Sequence, residues 1–131
     1  HLIALIFLTM LESFLAYGDA GIVILRFAVG FIFLYHGIKK WTMPPVKGMM
    51  KNMMSMLKFL EPVVGLLLIV GLYSQLMALI IIILMIGAIV LKISMMKIPF
   101  ASMKATGWEF DLILLAAAIV LLVSGAGPGL F

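Results

Sequence analysis

The stretch Ala20-Gly-Ile-Val-Ile-Leu-Arg26-Phe-Ala-Val-Gly30-Phe-Ile-Phe-Leu-Tyr35 decides the fold. Every residue in it suits hydrocarbon except Arg26. It runs into His36-Gly37-Ile38-Lys39-Lys40-Trp41, the pattern of a helix arriving at a bilayer interface. A charge at the centre of a spanning helix costs roughly 3 kcal/mol or more, so Arg26 needs a partner, a role, or both.

Four further apolar segments lie outward from this one. The first is Leu2–Tyr17, interrupted by Glu12. The third centres on Phe59–Tyr73 and begins as early as Met49, the fourth is Leu76–Ile93, and the last is Trp108–Val123. A helix needs about 20 residues to cross the hydrocarbon, with a range of about 17–25. The first segment is the weakest by that measure. Its end, Ala16-Tyr17-Gly18, has the small-x-small form of a cleavage site, but no basic leader precedes it. We read it as a retained helix, with Asp19 capping the next one.

The composition agrees. Of 131 residues, 66% are hydrophobic, and the mean hydropathy is +1.37. That is a membrane protein with room for one bundle. Without cysteine, the chain cannot supply disulfide exchange, thiolate metal sites or iron–sulfur ligation. The net charge of +4 is placed to meet lipid headgroups, not nucleic acid. No phosphate loop, dinucleotide fingerprint, metal-ligand spacing or nucleophile elbow is present.

Lysines then set the topology. Lys39, Lys40, Lys47, Lys51 and Lys58 separate the second and third segments, and Lys92, Lys97 and Lys104 separate the fourth and fifth. The links Gly18-Asp19 and Ser74-Gln75 and the tail Ser124–Phe131 carry no basic residue. Loops 39–58 and 92–107 are therefore expected to be cytoplasmic, with the C-terminus outside. Within the first basic loop, Met49, Met50, Met53 and Met54 oppose Lys47, Lys51 and Lys58, an amphipathic pattern for the interface or for the start of the third span. The methionines also have thioether spacing for Cu(I), but no histidine or cysteine accompanies them. We read them as flexible apolar filler and expect no metal site.

Arg26, Gly30, Phe33 and Gly37 share one helix face. Gly30 and Gly37, with Gly65 on the third segment, are the expected helix-packing positions. The expected partner of Arg26 is Glu61, the only carboxylate of the third segment. Arg26 lies about 10 Å from the outer end of its helix and Glu61 roughly 18 Å from its own. A long arginine, a water or a kink at Pro62 would bridge that difference. Such a pair either fixes helix register or forms a polar pocket for a quinone headgroup, another small ligand or a relayed proton. His36 is a candidate proton relay or quinone contact; the plainer alternative is an interfacial side chain beside Lys39 and Lys40. Haem would need a second ligand signal that the chain does not show. Glu109 is a second relay candidate, although Thr106-Gly-Trp-Glu109 also fits a capping box. Asp111 lies about 200° around the helix from Glu109, so the two do not form a dyad. Lys92 and Lys97 are their candidate counter-charges.

In order along the chain, Leu25-Arg26-Phe27-Ala28-Val29-Gly30 with Leu34-Tyr35-His36-Gly37-Ile38-Lys39-Lys40 resembles the first-helix signature of the DoxX family. Glu61-Pro-Val-Val-Gly65 through Gly71-Leu72 is similar to the second helix of that family, and Gly107-Trp-Glu-Phe-Asp111 with Gly127-Pro128-Gly129 to its last helix and ending. The resemblance covers about Asp19 to Gly129 and implies a four-helix membrane domain at 19–131. Residues 1–18 lie outside it, so an added apolar helix there is a departure from the family pattern, and we read it as a candidate anchor to a larger assembly. It further implies an association with membrane redox systems, such as quinone-reducing thiosulfate oxidation, terminal oxidase or oxidative-stress complexes.

The expectation is thus an all-α protein, a transmembrane four-helix bundle with an additional N-terminal helix. We expect an accessory subunit of a respiratory or quinone-linked oxidoreductase complex in the inner membrane of a prokaryote, without activity of its own. Its partners would be the lipid bilayer and larger membrane subunits, with no nucleic acid, and quinone or lipid as the only ligand. The alternative is a self-contained quinone-linked oxidoreductase subunit of the thiosulfate:quinone type. A small transporter ranks last, since no internal repeat is visible.

Overall fold

A computed structural model describes residues 1–103, 106–125 and 127. Its elements are α1 (Leu2–Glu12), a 3-10 segment (Ser13–Tyr17), α2 (Gly18–Lys40), α3 (Met49–Val70), α4 (Ser74–Ser94) and α5 (Trp108–Ser124). Among the described residues there is no strand. Helices α2–α5 form the four-helix bundle and α1 stands outside it.

The bundle is two hairpins, α2–α3 and α4–α5, each packed along its length, with much lighter contact between them. Among the described residues, three helical stretches are long and apolar enough to cross a membrane: Leu2–Lys40, Met49–Val70 and Ser74–Ser94. Helix α5, with 17 residues, is at the short limit of a span. The outer faces carry exposed apolar side chains, among them Ile24, Phe31, Leu66, Ile83, Ile86 and Ile113. Water would penalise that surface; lipid does not.

Glycine makes the first hairpin tight. A Cβ on Gly65 would lie 2.5 Å from the Gly30 oxygen and 2.5 Å from the Leu34 nitrogen. A Cβ on Gly30 would lie 2.8 Å from the Gly65 oxygen, and one on Gly37 would strike the Pro62 ring. Only backbone-to-backbone packing is possible there, the small-residue logic of membrane helix pairs. Pro62 sits inside α3 without ending it. Helix α3 ends instead at Gly71, in the left-handed conformation at φ 78°, where Leu72 donates to the Leu67 oxygen and Gly71 to the Leu68 oxygen. That is a Schellman ending. Met49 to Met54 belong to the first turns of α3, so the amphipathic segment opens the third helix.

Two local expectations change. The chain does not turn at Gly18-Asp19: the 3-10 segment passes directly into α2, with Asp19 in the first turn and no side-chain cap. Helix α5 starts after Gly107 with no side-chain cap, and the Glu109 amide donates to the Phe100 oxygen instead of the Thr106–Glu109 box closing. Phe100 also meets Trp108 edge-on, at 4.6 Å between ring centres. The Phe100 carbonyl lies where a Gly107 Cβ would be, so glycine is required at this corner. Lys104 and the Pro128-Gly129 ending lie outside the described residues.

Candidate functional site

The antiparallel register of α2 and α3 places the charges. Gly37 lies beside Pro62, and Gly30 beside Gly65 and Ile69. Glu61 is therefore level with the end of α2, while Arg26 is level with the α3–α4 turn. Arg26 stands eleven residues from Gly37, on the order of 16 Å along the axis. The Arg26–Glu61 pair expected from the sequence is not formed. Lys40 donates to Glu61 at 2.7 Å instead. The cause is the length of α2, which continues past the end of α3, so distances counted from assumed common ends misplace Arg26. Arg26 itself is 3% exposed, on the same buried face as Val29, Gly30, Phe33 and Gly37. Its guanidinium lies 5.2 Å from the centre of the Phe27 ring.

The second hairpin repeats the arrangement. Lys92, in the last turn of α4, lies 2.6 Å from Asp111, in the first turn of α5. Both lysines sit at helix C-terminal ends, and Asp111 sits at an N-terminal end, the placements favoured by helix dipoles. The two pairs differ in one respect. Lys40 makes a directed hydrogen bond to Glu61, whereas Asp111 Oδ2 is held by charge without a well-aligned donor. Asp111 is 6% exposed, so the Lys92 ammonium at 2.6 Å is what balances its buried charge.

Between the pairs lies a cavity of about 410 Å³, lined from all four bundle helices. Ile32, Phe33, Met85, Leu114 and Phe110 supply apolar wall, and His36, Lys39, Lys40, Glu61, Lys92 and Asp111 the polar groups. His36 is half-buried, its ring 5.7 Å from Phe110 and 5.6 Å from Tyr35. A mostly apolar hollow with a few convergent polar groups is the usual form of a small-ligand site. The lining holds donors from three lysines and a histidine, two of the lysines each paired with a carboxylate of the same lining. The set suits a small amphipathic molecule with hydrogen-bonding groups.

Of the residues expected to carry function, His36 and Glu61 line this cavity, while Arg26 and Glu109 do not. Glu109 is exposed, and Asp111, not Glu109, lines the cavity from α5. Lys40 and Asp111 were missed as site residues. The available signal was their position near helix ends, each within reach of an opposite charge on the neighbouring helix. Lys92 had been named as a counter-charge at that level, and it fills that role.

Fold, exposed surface and buried polar groups together define a small, all-helical integral membrane protein with a mostly apolar cavity, edged by ion pairs, near its lysine-rich end. The DoxX family model matches residues 21–95. That span is more than half of the chain, and the chain belongs to the DoxX family. It includes His36, Lys40, Glu61 and Lys92 and ends before α5, so the Gly107–Asp111 likeness lies outside it, as does α1. No curated protein and no solved structure matches the chain.

Proposed function

We propose that the protein is an accessory subunit of a quinone-linked oxidoreductase complex, and that the cavity between its hairpins holds the quinone headgroup. One observation carries this reading. Two lysine–carboxylate pairs and His36 converge on an apolar hollow inside a membrane bundle. A quinone carbonyl would accept from His36 or a lysine, and a quinol hydroxyl would donate to the Asp111 carboxylate, whose charge Lys92 balances at 2.6 Å. The apolar wall would take the ring, and the gap between hairpins would let it enter from lipid. When bound, the quinone supplies the two-electron chemistry. This chain's residues orient it and hold a proton nearby.

The accessory role rests on α1. Among the described residues, α1 touches only the 3-10 segment that follows it, and its apolar side chains are exposed. The continuous stretch Leu2–Lys40 has 39 residues. Its length of about 58 Å exceeds a hydrocarbon core of roughly 30 Å, so the whole cannot occupy one perpendicular crossing. A larger membrane subunit would cover the surplus. The lysine-rich end would face the cytoplasm of a prokaryotic cell.

The test is to purify the protein with its companions from native membranes and measure quinone turnover. His36→Ala and Asp111→Asn should lower turnover with assembly intact, and deletion of residues 2–17 should release the companions. Unchanged turnover in both variants contradicts the site. Turnover by the isolated chain would favour the self-contained enzyme.

A further inference from the structure

A second recess lies outside the bundle at the same end. It has a volume of about 210 Å³ and is formed where the Trp41–Val46 segment folds over the first turns of α3. Lys40, Lys51 and Lys58 line it, together with the Ser55 hydroxyl and the methionines Met43 and Met54. Among the described residues no carboxylate lines it. Lys51, Ser55 and Lys58 follow one another at helical spacing on one face of α3. Lys40 is committed to Glu61, whereas the ion pairs among the described residues involve neither Lys51 nor Lys58.

The recess is built, not a chance gathering of lysines. Trp41 donates its indole N–H to the Lys58 carbonyl at 2.8 Å, which pins the connecting segment to α3. The Trp41 ring also stands edge-on to Phe59, at 4.8 Å between centres. Lys58 Nζ lies 4.5 Å from the centre of the Trp41 ring. The indole thus anchors a cationic head at a fixed place. Trp41 and the lysines mark the level at which spanning helices meet headgroups.

We propose that this recess binds the phosphate of an anionic membrane lipid. Lys51 and Lys58 contact the phosphate oxygens, with Ser55 donating a further hydrogen bond. Met43 and Met54 receive the glycerol and the first acyl methylenes. A dissolved phosphate would have no use for that apolar wall. The occupant is distinct from the ligand of the cavity between the hairpins.

The test uses the full chain in nanodiscs of phosphatidylcholine with or without phosphatidylglycerol, followed by native mass spectrometry of retained lipid. One phosphatidylglycerol should be retained in preference to phosphatidylcholine. Lys51→Gln and Lys58→Gln should each weaken retention about fivefold, and Lys58→Arg should keep it. Lys97→Gln, a lysine at the same end but outside the recess, should have no effect. Each variant is first checked for unchanged helical content and melting. Equal retention of the two lipids overturns the proposal. So does equal loss in Lys97→Gln, which would indicate diffuse surface charge. Complete displacement by inorganic phosphate also overturns it, because the site would then serve a soluble anion.

Discussion

The contact inside the α2–α3 hairpin and the space between the two hairpins are built on opposite principles. Inside the hairpin, Gly30, Gly65 and Gly37 bring backbone against backbone and leave no volume for a ligand. Between the hairpins, no such glycine contact closes the gap among the described residues, and large side chains frame a cavity that holds the Lys40–Glu61 and Lys92–Asp111 pairs at its edge. The lesson is a division of labour. The glycine contact fixes α2 against α3 and so fixes the height of Lys40, His36 and Glu61. The looser contact between hairpins leaves room for chemistry at that height.

The largest effect should come from filling the tight contact. Gly65→Leu meets backbone on two sides, so the hairpin must part. A loss of about 3 kcal/mol or more is expected, read by thermal unfolding in detergent. If Gly65→Leu melts like the parent, the glycine contact does not hold the hairpin.

Next come the ion pairs. Glu61→Gln leaves the Lys40 ammonium half-buried without its counter-charge, at a cost of roughly 3 kcal/mol. Replacing both residues with methionine should recover most of that loss, because an apolar pair of similar size needs no desolvation. A double-mutant cycle with no coupling between positions 40 and 61 would remove the pair from the account.

A smaller effect on stability, but a large one on binding, is expected between the hairpins. Ala88 lines the cavity from α4. Ala88→Phe should cost about 1–3 kcal/mol, toward the low end because the ring enters open space, and abolish quinone retention, measured as quinone co-purified per protein. The smallest effect is expected at Glu109, which is exposed. Glu109→Gln should stay within about 0.5 kcal/mol of the parent and leave quinone retention unchanged.

The same contrast separates what could be read in the sequence from what could not. The helices follow from the length of the apolar runs, which lipid enforces. The buried face of α2 follows from the spacing of Arg26, Gly30, Phe33 and Gly37, a local property of one helix. The partner of Glu61 does not follow, because it depends on the register between two helices. That register is set by Gly37 against Pro62 and by the continuation of α2 through Gly18, where the sequence suggests a turn. Lys40 looked like a loop charge until α2 was seen to end on it. The choice of Asp111 over Glu109 depends on how α5 is rotated, and the corner at Gly107, with the Phe100 carbonyl and Trp108 packed against it, sets that rotation. No single helix carries this information.

The central claim is that the space between the hairpins receives a quinone. The most direct measurement is photolabelling of native membranes with an azido-quinone, followed by mapping of the labelled peptides. Labels are predicted on residues 32–43 and 106–114, and they should disappear in Ala88→Phe while the protein stays folded. Labels scattered over the outer faces of the helices, or labelling undiminished in Ala88→Phe, would contradict it.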